Sequence, residues 1–283
     1  MDLAKKRSLA ICIVTNGYEL ENYVPVFKEK ELNIKEIQVT IDGDASVHNQ
    51  RRITHDGSPT FDRISAGIDL ALKSGYRINL RTIIDKTNLE TLPSLAAYAE
   101  EKGWLSFGES LFETTIGRNY ELHSCQATDS LYSRIDLWTA FTKLAEKYPV
   151  LYKYHKPHLH GMRYLAEHGE LPMPVFDSCP AAKKEWAFDL NGDIYGCTAS
   201  VGVEKFRLGN FITGEMFFDR TGIWQNRDIL TIPECEHCPV APSCGGGCAV
   251  IACNEKGEIL SPDCRPVKEL VSLGIAHYKL EGS

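Results

Sequence analysis

The stretch CEHCPVAPSCGGGC at residues 235–248 constrains this chain more than any other. It sets Cys235, Cys238, Cys244 and Cys248 in the spacing Cys-x2-Cys-x5-Cys-x3-Cys, and Cys264 follows. Upstream, Cys179 and Cys197 flank a turn, with Gly192 in the spacing Gly-x4-Cys before Cys197. Seven thiols in this order exceed what one four-ligand site takes, so two sites are expected. Thiolates suit zinc or iron–sulfur clusters, and both favour four cysteines. On spacing alone a structural zinc ribbon and iron–sulfur ligation both stay open. Gly245, Gly246 and Gly247 permit positive φ and a close backbone approach to a bulky object. Their amides are able to donate hydrogen bonds to sulfides where a cluster is the occupant.

The ten cysteines are unevenly spread: Cys12 and Cys125 stand alone, and the rest, Cys253 included, lie between residues 179 and 264. The opening MDLAKKRSLAICIVTNG is basic and then apolar. Its apolar run is short, lacks a small-residue cleavage site and enters a turn, so a core strand is expected rather than a signal peptide. The cytoplasm is then the expected compartment, where clustered cysteines hold metal more often than disulfides. A net charge of −7 without a dense Lys/Arg run argues against nucleic-acid binding. No apolar stretch reaches the roughly 18 residues of a membrane span.

Strand-like and helix-like segments alternate over residues 8–148 of the chain. RSLAICIVTNG reads as a strand ending at Asn16-Gly17, ENYVPVFKEK as a helix, and IKEIQVTIDG as a second strand. FDRISAGIDLALKSG is an amphipathic helix with Thr60 as N-cap and Gly75 as stop. YRINLRTII reads as a third strand, residues 91–103 as a helix, WLSFGESLF as a fourth strand and residues 129–148 as a long helix. Alternation of this kind implies a parallel sheet with functional groups at the strands' C-terminal ends. Residues 149–178 read as a connector, whose His155, His158, His160 and His168 are expected to be solvated or packed rather than metal ligands. DLNGDI signals a hairpin, which assigns Asp189 and Asp193 to the turn, and PVKELVSLGIAHYKL reads as an amphipathic helix.

The seven-cysteine array resembles the SPASM domain of radical S-adenosylmethionine enzymes. That family's pattern is a cysteine, nine to fifteen residues, Gly-x4-Cys, a gap, Cys-x2-Cys-x5-Cys-x3-Cys, a gap and a last cysteine; here twelve residues separate Cys179 from Gly192. The resemblance implies two auxiliary [4Fe-4S] clusters. Cys179, Cys197 and Cys248 would ligate cluster I, and Cys235, Cys238, Cys244 and Cys264 cluster II. Some relatives supply a fourth ligand to cluster I six positions before the first motif cysteine, where this chain has Met173. An iron open to substrate or solvent is expected in its place, with Cys253 as the alternative. The aspartate that follows the Gly-x4-Cys cysteine in sulfatase-maturating relatives is Thr198 here, which argues against sulfatase maturation.

TNG at 15–17, TIDGDASVHNQRR at 40–52 and SPTFDRISAGI at 58–68 resemble the latter part of a radical SAM barrel. Family members often read SxDG…HDxxR, and the Ser and Arg contact S-adenosylmethionine. By this resemblance Thr40 and Arg52 would bind that cofactor. The expected fold is α/β: the C-terminal part of a partial (β/α)6 barrel over residues 1–148, a connector at 149–178, a SPASM domain with short hairpins and helices at 179–266, and a C-terminal helix at 267–283.

Family chemistry needs a Cys-x3-Cys-x2-Cys loop for a third [4Fe-4S] cluster, and neither that motif nor a GGEP-like stretch occurs in the sequence. The chain is therefore expected to be a fragment, a truncated gene product or half of a split enzyme, inactive alone. The resemblance implies oxidoreductase-type modification of a ribosomally made peptide or protein side chain by 5′-deoxyadenosyl radical chemistry. It also implies an electron donor such as flavodoxin or ferredoxin, and allows a separate chain carrying the N-terminal barrel half. The alternatives are a non-catalytic cluster carrier or peptide-binding partner, and a structural zinc protein.

Overall fold

Apolar residues at every second position build the first sheet. In the computed structural model, which describes residues 2–118 and 129–280, a short helix α1 (Asp2–Lys6) precedes strand β1 (Ile11–Thr15). Helix α2 (Leu20–Glu29), strand β2 (Ile34–Thr40), helix α3 (Ala45–Arg51) and helix α4 (Phe61–Lys73) follow. Then come strand β3 (Ile78–Ile84), helix α5 (Leu92–Glu101), strand β4 (Phe112–Arg118) and helices α6 (Arg134–Lys147) and α7 (Val150–Tyr154). The strands are parallel in the order β1-β2-β3-β4, with Val39 opposite Leu80 and Leu80 opposite Thr114.

One face of this sheet buries Ile37, Val39, Ile78, Leu80, Phe112 and Ile116 in the helix-covered core. The other face is polar. There Asn79 donates to Glu36 at 3.2 Å and accepts from Thr115 at 2.8 Å. Arg77 pairs with Glu36 and Glu113, and Arg81 reaches Gln38 at 3.4 Å. Parallel sheets with helices on both faces bury apolar residues on both. A polar second face fits the interior of an open barrel.

Three sequence expectations need correction. The fourth strand is Phe112–Arg118, not residues 104–112. Trp104 instead opens a 3-10 turn after left-handed Gly103, and its buried indole donates to Asp69 at 2.6 Å. Helix α6 begins at Arg134 rather than 129, because the Ser133 side chain accepts the Asp136 N–H and caps it there. Thr60 flanks α4 but its hydroxyl does not cap it; Asn49 Oδ1 accepts the N–H groups of Thr60 and Phe61, each at 3.0 Å.

The described residues divide into two compact units, one of residues 2–118 and 129–157 and another of residues 158–280. The second contains helix α8 (Met162–His168) and an antiparallel sheet, β5 (Ala187–Phe188), β6 (Asp193–Tyr195), β7 (Arg207–Asn210) and β8 (Glu215–Met216), in sequence order. Asp189 Oδ1 accepts the N–H groups of Asn191 and Asp193 at 2.9 Å and shapes the β5–β6 turn. Helices α9 (Phe218–Gln225), α10 (Ala241–Cys244), α11 (Ala249–Lys256) and α12 (Val267–Tyr278) complete the unit. Helix α12 packs on α8 and on the turn at Leu159–Gly161, where Gly274 lets the side chain of Met162 approach. Among the described residues, no helix is long and apolar enough to cross a membrane.

Candidate functional site

The thiols gather in two neighbourhoods. Cys179, Cys197 and Cys253 are buried in one apolar core, and Cys248 packs against it. Cys235 is buried in a second, smaller core with Ile229, Ile232 and Ala241, and Cys238 packs there. Burial pushes the Cys235 thiol up, and the charges of Cys244, Cys238 and Cys264 add to this, so these four thiols share one neighbourhood. Arg227 acts in the opposite sense. Burial likewise pushes Cys197 up, partly offset by its hydrogen bonds with Ser200. Ionising such thiols requires a cation in place of the proton, which is how metal uptake couples to deprotonation. Cys12 is exposed on β1, and Cys125 lies outside the described residues.

The Gly245–Gly247 segment joins the neighbourhoods. All three glycines are left-handed, with φ of +64°, +77° and +69°. A Cβ at Gly245 would meet Ser178 at 2.8 Å, and one at Gly246 would meet Ile232 at 2.9 Å. Gly245 N–H donates to Ala241 O at 2.8 Å and Gly247 N–H to Ser178 Oγ at 3.1 Å. Two of the three amides are thus engaged within the protein. Their role here is to hold the loop between residues 175–178 and the turn at Asp263, whose Oδ2 accepts Cys248 N–H at 3.1 Å.

Arg227 is the residue that sequence reasoning missed. It is 1% exposed. Its guanidinium donates to Ile259 O at 2.8 Å, Gly247 O at 3.1 Å, Gly246 O at 2.8 Å and Ser261 O at 2.8 Å. It ties the glycine loop to the segment that leads into Cys264. No local pattern in WQNRDIL marks it, because its partners are main-chain carbonyls.

These thiols fit iron–sulfur ligation by donor type and grouping. Among the described residues no three His, Cys, Asp or Glu side chains converge enough to hold a single metal ion. Met173 is 84% exposed and Cys253 is buried among the thiols of the first group. Of the connector histidines, His155 stacks on Trp138 at 5.8 Å and His168 on Tyr164 at 4.2 Å. Asp193 accepts from Asn210 Nδ2 at 2.9 Å, and the Thr198 N–H donates to Glu185 at 3.2 Å.

In the first unit, Thr40 ends β2 and is buried, opposite Arg81 of β3. Arg52 follows α3 and pairs with Asp42 at 2.6 Å. Asp42 also accepts Ile83 N–H at 3.1 Å, and Asn88 Nδ2 donates to Asp42 O at 3.0 Å. Arg51 pairs with Asp85 at 2.9 Å. Burial works to raise the Asp85 carboxyl, but hydrogen bonds from Arg51 and Thr87 and the Arg51 charge outweigh it and hold the group at about 2. His48 is buried, and that burial lowers it to about 4. Thr40 thus lies at the end of β2, and Arg52, after α3, is braced by the carboxylate of Asp42.

No protein-family model matches the chain. It is 33% identical to a serine-type anaerobic sulfatase-maturating enzyme of Bacteroides thetaiotaomicron over 88% of its own length and 64% of that protein. It is 30% identical to an AdoMet-dependent heme synthase of Methanosarcina barkeri over 46% of its own length and 36% of that protein. The chain therefore spans less than two thirds of either relative. Among solved structures, His-tagged anSMEcpe with bound AdoMet superposes with a TM-score of 0.67 at 17% identity, over 99% of this chain and 75% of that one. Native anSMEcpe with AdoMet and a Cp18Cys peptide gives 0.66 at 15% identity, over 99% and 78% of the chains. SuiB of Streptococcus suis bound to S-adenosylmethionine gives 0.56 at 16% identity, over 93% and 60%.

Proposed function

We propose, from the premise that this chain is a relative of the radical SAM/SPASM enzymes, that it serves the modification of a peptide or protein side chain. It would do so by carrying two auxiliary [4Fe-4S] clusters in its second unit and part of a cofactor-binding barrel in its first. The observation that carries the reading is the separation of the thiols into two neighbourhoods, one around buried Cys179, Cys197 and Cys253 and one around buried Cys235, with Cys264 exposed at the edge of the second. Cys179, Cys197 and Cys248, with Cys253 as the fourth thiol we assign, would hold cluster I. Cys235, Cys238, Cys244 and Cys264 would hold cluster II. Such clusters supply electron transfer and, where an iron is open, a binding point for substrate.

On the barrel side, the Thr40 hydroxyl would take a ribose or amino group of S-adenosylmethionine, and Arg52 its carboxylate. The Asp42–Arg52 pair at 2.6 Å orients the guanidinium for that role. The sequence contains no Cys-x3-Cys-x2-Cys. We assign that loop and its third cluster to polypeptide outside these residues, in the same chain or a separate one. A cavity of about 430 Å³ beside the edge strand β1, lined by Ile11, Ile13, Leu20, Phe27 and Ile34, supports packing of further βα units there. Peptide bound in the structural relative anSMEcpe supports a peptide partner. An electron donor of the flavodoxin or ferredoxin type and a cytoplasmic setting belong to the same reading. Thr198, in place of the aspartate, favours a substrate other than a sulfatase.

Anaerobic reconstitution with iron and sulfide tests the proposal. Two clusters require about eight irons and as much inorganic sulfide per chain. Four irons or fewer would count against it. A colourless, air-stable protein with stoichiometric zinc would instead select a structural zinc site.

A further inference from the structure

Arg227 carries a permanent charge at 1% exposure and makes no ion pair among the described residues. Its acceptors are the carbonyls of Gly246, Gly247, Ile259 and Ser261. Lys183 pairs with Asp177 and donates to Arg227 O, and the Asp263 carboxylate accepts Cys248 N–H. Carbonyl dipoles satisfy the donors of a buried guanidinium but do not neutralise it, and an uncompensated buried charge is costly.

Both segments that Arg227 clips carry ligands of the second thiol group: Gly246 and Gly247 follow Cys244, and Ser261 precedes Cys264; Gly247 also precedes Cys248 of the first group, but it is on Cys235 of the second that the Arg227 charge acts. A cluster held by four thiolates stays anionic in both of its usual oxidation states. Its reduction adds negative charge, which a fixed cation in a low-dielectric setting stabilises.

We propose that Arg227 is the electrostatic counterpart of cluster II, a positioning residue that both holds its ligand loops and raises its reduction potential. This rests on the two-cluster reading. It predicts that the charge matters beyond the four hydrogen bonds.

The test is an anaerobic redox titration followed by electron paramagnetic resonance on the reconstituted chain, with Arg227→Gln and Arg227→Lys beside the wild type. Cys264→Ser, which alters one ligand of cluster II, identifies that cluster's signal. In Arg227→Gln, reduction of cluster II should become about tenfold less favourable, a shift of about 59 mV downward for one electron, while cluster I stays put. Arg227→Lys keeps the charge with fewer donors and should retain the potential. An unmoved cluster II in Arg227→Gln at full iron content, or an equal fall in Arg227→Lys, overturns the proposal. Should Arg227→Gln take up no cluster II, the lysine variant alone decides by the same criterion. A wild type without inorganic sulfide would instead bring down the two-cluster reading, and this inference with it.

Discussion

Asp42 N–H donates to His48 Nδ1 at 3.1 Å, six residues along the chain, and this fixes the tautomer of a buried imidazole. With Nδ1 accepting, Nε2 carries the proton and donates to Thr60 Oγ1 at 3.1 Å. The Thr60 hydroxyl passes the chain on to Arg52 O at 2.7 Å. The network braces the segment after β2, where Asp42 and Arg52 pair.

That network needs a neutral ring, and burial is the main cause that lowers His48 to about 4 from its ordinary 6.5. Above the ordinary value both folded and unfolded chains hold the ring neutral, and His48 adds no pH dependence. As pH falls below it the unfolded chain binds the proton first, so stability drops until the folded value is reached. Between pH 7 and pH 5 the loss should be about 2 kcal/mol. Urea unfolding across this window should show that slope in the wild type and its absence in His48→Gln; equal slopes would refute the assignment.

Asp85 titrates in the opposite sense. Its carboxylate, held at about 2, stabilises the fold above the ordinary carboxylate range and loses that contribution as pH falls through about 2. At pH 7, Asp85→Asn should cost about 2 kcal/mol. Chemical denaturation of the two proteins should give a gap that narrows only below about pH 4.

Gly247 and Gly257 are both left-handed, at φ +69° and +88°, but only Gly247 is enclosed. A Cβ at Gly247 would lie 2.8 Å from Asp263 Cβ, whereas one at Gly257 meets nothing within 4 Å. Gly257→Ala should therefore cost only the backbone strain, about 1–2 kcal/mol. Gly247→Ala should cost more and displace the Asp263 turn, so that iron uptake falls to about half of the eight expected for two clusters. Thermal melts and iron assays separate the two variants.

Cys253 and Cys12 are unpaired thiols in different settings, one buried with Cys179 and Cys197 and the other exposed on β1. Cys253 donates to Gly257 O at 3.6 Å, a weak bond that ligation would replace. Challenged with a chelator, Cys253→Ser should lose iron from cluster I, while Cys12→Ser keeps about eight irons. Full retention in Cys253→Ser, with cyanide binding to the wild-type cluster, would mean that the fourth iron is open.

The spacing of the thiols was legible in the sequence, because it is a local property of a short loop. So were most strands and helices, since alternation and the turns at Gly75, Gly103 and the Asp189–Asp193 hairpin act within a few residues. Misreadings fell where a distant partner decides. Trp104 looked like strand, but its indole bonds Asp69, 35 residues away, and the strand starts only at Phe112. Thr60 looked like a cap, but Asn49 does the capping.

Sequence alone determined the order of seven thiols, three glycines able to turn left-handed, and βα alternation ahead of them. Tertiary structure alone decided that Cys253 is buried with Cys179 and Cys197, and that Arg227 binds the carbonyls of Gly246 and Ser261. The physical reason is that side-chain identity sets what an atom can bond. Burial and charge compensation, by contrast, depend on which segments the fold brings into contact, and Arg227 meets partners up to 34 residues away in the chain.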